Sequence, residues 1–221
     1  MNIAIPIFDR FNALDAVGPY EVLSRLPDAH VQFIAAEPGP YKTDNGMLSL
    51  VAEASLDDLP SPEIIVVPGG LGTRPLMEDE QMLGWIRTAH ETSTWTTSVC
   101  TGSLLLGAAG VLDGLDATTH WLELETLDRL GAHSISKRVV EQGKVITAAG
   151  VSSGIDMALV LASRIAGDQF AQCVQLLIEY DPQPPFDAGS PDKAPPETVE
   201  LISTMARRHL EQLAASEKSS A

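Results

Sequence analysis

The strongest structural signal in this chain lies in the stretch Thr94-Trp95-Thr96-Thr97-Ser98-Val99-Cys100-Thr101-Gly102-Ser103-Leu104-Leu105-Leu106. It predicts a strand over 94–99, a tight turn at Cys100 to Gly102, and a buried helix that continues to about Ala109. The partial positive charge of a helix N-terminus favours the thiolate, which is the nucleophilic form of cysteine. The segment therefore predicts the cysteine counterpart of a serine nucleophile elbow. The alternative is a small apolar residue packed at a strand end, since free cysteine is often buried.

Strand and helix signals alternate along the rest of the chain. Strands are predicted at 3–8, 31–36, 63–67 and 94–99, with hairpins at 41–51 and 138–148, and helices at 18–26, 78–91, 102–109, 121–130, 153–165, 169–179 and 197–215. This alternation predicts a three-layer α/β sandwich around a mostly parallel central sheet. We expect one domain over 1–221, with a helical extension at about 195–215.

The charge of the chain limits its partners. Among 221 residues, 30 are acidic and 14 are basic, which gives a formal charge of −16 at pH 7. Such a surface repels phosphate backbones and anionic lipids, so we expect neither nucleic acid nor membrane as a partner. The N-terminus lacks the basic segment and apolar core of a signal peptide, and the uncharged stretch 92–112 is interrupted by glycine. These features predict a cytoplasmic protein.

Three loops are predicted to meet at one edge of the sheet, because ligands of open α/β sheets bind beyond the carboxyl ends of the strands. The first carries Asp15, the second carries Gly69 and Gly70, and the third carries Cys100. Asp15 beside Cys100 would act as a proton carrier. The carboxyl and the thiol would share one proton, because a carboxylate and a thiolate side by side repel each other. The alternative for Asp15 is a helix cap, and Glu21 is a competing carboxylate.

The glycine loop and the residue after the cysteine are further candidates. Gly69 and Gly70 allow close backbone approach, so their N–H groups are predicted to stabilise developing negative charge, the alternative being a tight turn. Thr101 supplies a helix N–H and a hydroxyl at the edge of the site.

Two other residues have a structural alternative that the sequence favours. His120, in Thr118-Thr119-His120-Trp121, is a candidate supporting residue, but capping and packing of the following helix is the more common role. Cys173 fits the apolar pattern of a helix and is predicted to pack in the core. The five histidines lack ligand spacing, so no metal site is predicted.

Together these motifs resemble the DJ-1/PfpI superfamily, within the flavodoxin-like, class I glutamine-amidotransferase-like fold. Within it, the chain is similar to the bacterial isocyanide hydratases. The resemblance rests on short segments spread over the chain: 14–19, 68–70, 76–79, 98–109, 117–121, 154–156 and 179–192.

The resemblance implies hydration of an isocyanide, R–N≡C, to an N-substituted formamide. Cys100 would attack the terminal carbon to form a thioimidate, and Asp15 would act as the acid/base, with Thr101, Gly69, Gly70 and His120 supporting. The resemblance also implies a small-molecule isocyanide as partner, a homodimer, and no cofactor.

Two departures bear on the choice of activity. Thr101 follows the cysteine where related peptidases and glyoxalases have histidine, and Asp15 stands where they commonly have glutamate. Both differences weigh against those activities. A glyoxalase or deglycase and a redox sensor based on Cys100 remain the alternatives. A DNA-binding regulator is disfavoured, since only one helix is predicted after residue 197.

Overall fold

The computed structural model describes residues 1–220, and the chain divides into two compact units, Met1–Tyr180 and a second that begins at Asp181. The strands, all in the first unit, are β1 (Asn2–Pro6), β2 (His30–Ala35), β3 (Gly39–Lys42), β4 (Ser49–Ala52), β5 (Ala54–Ser55), β6 (Ile64–Val67), β7 (Trp95–Val99), β8 (Asp116–Ala117), β9 (His133–Ser134), β10 (Val139–Gln142) and β11 (Val145–Ala148). The helices are α1 (Ala13–Leu23), α2 (Thr73–Leu76), α3 (Glu80–Thr92), α4 (Gly102–Ala108), α5 (Leu124–Arg129), α6 (Ser153–Ala166), α7 (Asp168–Leu177) and α8 (Pro196–Ser220), with a 3-10 turn at Trp121–Glu123.

The central sheet has the order β10-β11-β7-β6-β1-β2-β5. Every neighbouring pair is parallel except β10–β11, which is an antiparallel hairpin. Helix α6 packs against α1 and α7, and α4 packs with α2, α3 and α5. The predicted α/β sandwich around a mostly parallel sheet is confirmed.

The strands in the middle of the sheet are buried along almost their whole length. Residues 64–67 of β6 are all buried, as is typical of a strand inside a parallel sheet. Chain order reverses between β1, which continues to β2, and β6, which continues to β7. The loops after β1 and β6 therefore diverge at this point, and the crevice between them is where such sheets bind ligands.

The first helix differs from the prediction, and the difference matters for the site. α1 begins at Ala13 rather than at Gly18, because the Asn12 side chain accepts a hydrogen bond from the N–H of Leu14 and caps the helix. Pro19 lies inside the helix. Asp15 is consequently in the first helical turn instead of in the loop before it.

Two further predictions are corrected. Cys173 was expected in the core, but its side chain is exposed on α7, whose buried face is formed by Ala171 and Val174. The last helix, predicted over 197–215, extends over Pro196–Ser220. Among the described residues, no helix is long and apolar enough to span a membrane.

Candidate active site

Cys100 lies on the turn between β7 and α4, at the carboxyl edge of the sheet. Its φ is +56°, in the left-handed region that non-glycine residues rarely adopt. The backbone N–H of Cys100 donates to the carbonyl oxygens of Ala148 (3.1 Å) and Ala149 (2.9 Å), which anchors the turn to the end of β11. The residue is 6 % exposed. The predicted tight turn between strand and helix at Cys100 is therefore present.

Gly102 makes the turn possible. A Cβ at this position would lie 2.1 Å from the carbonyl oxygen of Val67, at the end of β6. The start of α4 therefore presses against the backbone of the neighbouring strand, and only glycine allows this approach.

Asp15 reaches the same edge from α1. It is fully buried, and its Oδ2 accepts a hydrogen bond of 2.9 Å from the backbone N–H of Gly69. Its Oδ1 is buried without a well-formed hydrogen bond among the described residues. Asp15 and Cys100 lie close enough for each to affect the ionisation of the other. The structure thus brings the two predicted residues together, and Asp15 is not the helix cap.

Burial controls the protonation of this pair. Desolvation raises the pKa of Asp15 from 3.8 to about 7, against the lowering effects of the Gly69 N–H and the Cys100 side chain, and with the charge of Asp44 raising it further. Desolvation and the neighbouring Asp15 charge raise the pKa of Cys100 from 9.0 to about 12. At pH 7 the thiol is therefore protonated. Burial thus acts against the thiolate that the sequence predicts, and it outweighs the donors at the helix start.

The N–H groups of Gly69 and Gly70 bind side chains of the protein itself, whereas they were expected to stabilise negative charge on a substrate. The N–H of Gly69 is bonded to Asp15, and the N–H of Gly70 donates to Thr101 Oγ1 at 2.9 Å. Both amides are occupied, so they are not free to stabilise charge on a substrate. A Cβ on Gly69 would lie 2.5 Å from the N of Thr101 and 2.9 Å from Asp15 Oδ2, so close packing requires glycine here.

Two other backbone N–H groups face the sulfur. Those of Thr101 and Val151 hydrogen-bond Cys100, as does the Thr101 side chain, and each of these contacts lowers the pKa of the thiol. Thr101 was predicted at the edge of the site. The amide of Val151 was missed, because a backbone donor leaves no residue-type signal. Its φ of +30° after Gly150 reflects a turn that sequence patterns do not specify.

His120 has the structural role that the sequence favoured. Its Nδ1 accepts the N–H of Leu122 at 3.4 Å, which caps the turn at 121–123. Its ring packs against Gly150, where a Cβ would lie 2.9 Å from Cδ2. Burial lowers its pKa, with the charge of Glu123 opposing and that of Arg74 adding to the lowering, which favours the neutral imidazole. His120 thus supports the turn that carries Val151.

The arrangement combines a protonated buried thiol, a carboxyl that titrates near neutrality and two amide donors aimed at the sulfur. A carboxylate of this pKa can accept the thiol proton as the sulfur attacks and return it to the adduct. Among the described residues, no group of three or more His, Cys, Asp or Glu side chains could hold a metal ion. The geometry suits addition to a small electrophile.

The model of the DJ-1/PfpI family matches residues 1–164. The chain belongs to the DJ-1/PfpI family. The chain is similar to the isonitrile hydratase of Pseudomonas putida, which is 46 % identical over 200 residues, covering 90 % of this chain and 87 % of that protein. A crystal structure of a ThiJ/PfpI family protein from Pseudomonas syringae has a TM-score of 0.91 at 33 % identity, covering 94 % of this chain and 86 % of that one.

The chain is also similar to part of a transcriptional regulator. An HTH-type transcriptional regulator of Pseudomonas aeruginosa is 30 % identical over 76 % of this chain, but the match covers 51 % of that protein. This chain therefore spans about half the length of that regulator.

Proposed function

We propose that this protein hydrates organic isocyanides to N-substituted formamides, with Cys100 as nucleophile and Asp15 as acid/base. The main support is the buried Asp15–Cys100 pair, in which desolvation raises the pKa of the carboxyl to about 7. The 46 % identity to an isonitrile hydratase over 90 % of the chain supports the same substrate class. An isocyanide is neutral, so a chain of formal charge −16 does not repel it.

In the first half of the reaction, the Asp15 carboxylate takes the proton of the Cys100 thiol while the sulfur bonds to the terminal carbon of R–N≡C. Asp15 then gives this proton to the same carbon, which leaves a neutral thioimidate, R–N=CH–S–Cys100. The amides of Thr101 and Val151 stabilise the negative charge that develops on sulfur during the transfer. No atom leaves in this step.

In the second half, Asp15 takes a proton from water as the oxygen bonds to the thioimidate carbon, and that proton passes to nitrogen. The C–S bond then breaks, the hydroxyl proton returns to sulfur, and the product is R–NH–CHO. The sum is R–NC plus H2O giving the formamide, with Cys100 and Asp15 restored. No cofactor is needed for this balance.

The experiment is product analysis with a panel of alkyl and aryl isocyanides. We expect N-formamides from the wild-type protein, a loss of at least about 10³-fold in Cys100→Ser, and unchanged turnover in Cys173→Ser, whose side chain is exposed. Intact-mass measurement during turnover should show an adduct heavier by one whole isocyanide. No turnover across the panel, or full activity in Cys100→Ser, would contradict the proposal. Lactate formed from methylglyoxal would instead favour the glyoxalase alternative.

The raised pKa of Cys100 weighs against a redox sensor. Peroxide reacts with thiolates, and a buried thiol of pKa about 12 is almost entirely protonated at pH 7.

The homodimer is also part of the proposal. Its support within the first unit is the exposed apolar side chains of the β3–β4 hairpin, Met47, Leu48 and Val51. Light scattering should give twice the chain mass of 23.6 kDa, and a monomer at micromolar concentration would contradict this.

A further inference from the structure

The carbonyl oxygen of Cys100 accepts two side-chain hydrogen bonds that the proposed chemistry does not use. Thr119 Oγ1 donates at 3.0 Å and Ser103 Oγ donates at 3.1 Å. The two hydroxyls come from different parts of the first unit, one from α4 and the other from the segment after β8. Both residues are buried, so water does not compete for the contact.

This carbonyl belongs to the peptide unit that also carries the N–H of Thr101. The peptide bond between Cys100 and Thr101 is trans, so the C=O and the N–H of this unit point in opposite directions. The N–H of Thr101 is one of the donors that face the Cys100 sulfur. Fixing the oxygen on one side of the unit therefore fixes the direction of the N–H on the other side. Hydrogen bonds to the carbonyl also polarise the unit and strengthen its N–H as a donor.

The elbow needs such a restraint. A non-glycine residue with a φ of +56° carries about 1–2 kcal/mol of strain, which rotation of the peptide unit would help to relieve. The N–H of Cys100 is held by Ala148 and Ala149. In the unit that follows the cysteine, the carbonyl oxygen accepts a long backbone hydrogen bond of 3.4 Å from the N–H of Ser103, so the two shorter bonds from hydroxyls are its stronger restraints.

We propose that Thr119 and Ser103 are positioning residues for the nucleophile: their hydroxyls hold the Cys100 carbonyl oxygen, and this aims the N–H of Thr101 at the sulfur. The inference rests on the proposed function in taking Cys100 as the reacting group. It deepens that function by assigning how the thiol is made reactive in a site where burial opposes the thiolate.

Thr118 provides a matched control. It is adjacent in sequence and equally buried, but its Oγ1 has no hydrogen-bond partner among the described residues. Its backbone N–H, which a change of side chain retains, donates to Thr147 Oγ1 at 2.9 Å. Thr118→Val and Thr119→Val thus make the same chemical change in neighbouring buried positions, and only the second removes a bond to Cys100.

The test is the rate of alkylation of Cys100 by iodoacetamide between pH 6 and 10, in a Cys173→Ser background so that one thiol reports. We expect Thr119→Val to react about tenfold more slowly, with its pH profile displaced to higher pH, and Ser103→Ala to change in the same direction. Thr119→Ser retains the hydroxyl and should react within about twofold of the background protein. Thr118→Val should do the same.

Equal rates in the background protein, Thr119→Val and Ser103→Ala would overturn the inference, as would an equal loss in Thr118→Val. Circular dichroism identifies folded variants, and Ser103→Ala decides the matter if Thr119→Val does not fold. Alkylation requires no isocyanide turnover. A protein that fails to hydrate isocyanides but shows these rate differences would refute the proposed function and leave the positioning roles standing.

Discussion

Asp15 is the residue whose ionisation sets the chemistry of the pair. Its pKa of about 7 means that below neutrality the carboxyl is protonated and cannot accept the thiol proton. We expect kcat/KM for an isocyanide to rise about tenfold per pH unit below pH 7 and to level off above it. In Asp15→Asn this rise, the acidic limb of the pH profile, should vanish, and the rate should fall by about 10²–10⁴-fold.

The matched control for this profile is Glu21→Gln. Glu21 is the other acid of α1, but it is exposed and forms an ion pair with Arg25. Its replacement should leave both the limb and the plateau in place. A limb that survives in Asp15→Asn, or that disappears in Glu21→Gln, would remove Asp15 from the proposed role.

At this scale the sequence predicts side chains far better than backbone groups. Cys100 and Asp15 could be predicted as candidates because each follows a strand with a recognisable pattern and has a side chain suited to the proposed chemistry. Val151 contributes a backbone N–H, which almost any residue at that position would supply, so only the structure reveals this contact. The contacts of Thr119 and Ser103 with one oxygen depend on how three segments fold together, so no local pattern indicates them.

Among the elements, the β3–β4 hairpin has the clearest electrostatic influence on the site. Asp44, in its loop, is exposed, yet its charge raises the pKa of Asp15. We expect Asp44→Asn to shift the acidic limb of kcat/KM to lower pH by a few tenths of a unit, because solvent and salt screen an exposed charge. The shift between the two proteins should disappear at about 1 M salt, where the Debye length is about 3 Å.

Asp57→Asn removes the same charge from another exposed loop and serves as the control for this measurement. It should leave the limb where it is. Equal shifts in the two variants would mean that net charge, and not the position of the hairpin, sets the pKa of Asp15.

The elements themselves were largely predictable from periodicity and turn residues. The Ile/Val run of β6, the Asn45-Gly46 hairpin and the elbow at Cys100 each carry a strong local signal, and all three are present. The start of α1 was predicted five residues late, because Gly18 and Pro19 usually open a helix. The Asn12 cap, together with the burial of Asp15 against the loops after β6 and β7, outweighs that local preference.

For the whole molecule, a buried ionisable group at the site couples function to stability. The folded first unit holds Asp15 at a pKa of about 7, whereas the unfolded chain ionises near 3.8. Because the folded pKa is the higher one, the folded state retains the proton longer. The contribution of the protonated Asp15 to the free energy of unfolding is therefore fully present below about pH 4, and it is lost as the pH rises to about 7. At about 1.36 kcal/mol per pH unit, the loss is about 4 kcal/mol.

Asp15→Asn removes this dependence, because the amide keeps an acceptor for the Gly69 N–H and never ionises. We expect urea unfolding, followed by tryptophan fluorescence, to give free energies that are similar for the two proteins at about pH 3.5 and that diverge as the pH rises toward 7. At pH 8 the variant should be more stable by about 4 kcal/mol. Asp58→Asn is the control with the opposite sign: hydrogen bonds from Ser55 lower the pKa of this exposed carboxyl, so its loss should cost a little stability at neutral pH. Parallel curves for wild type and Asp15→Asn from pH 5 to 8 would mean that Asp15 is solvated or ionised in the folded protein. In that case the same carboxyl would lack the near-neutral pKa that the proposed proton transfer requires, so this equilibrium measurement tests the catalytic mechanism without any substrate.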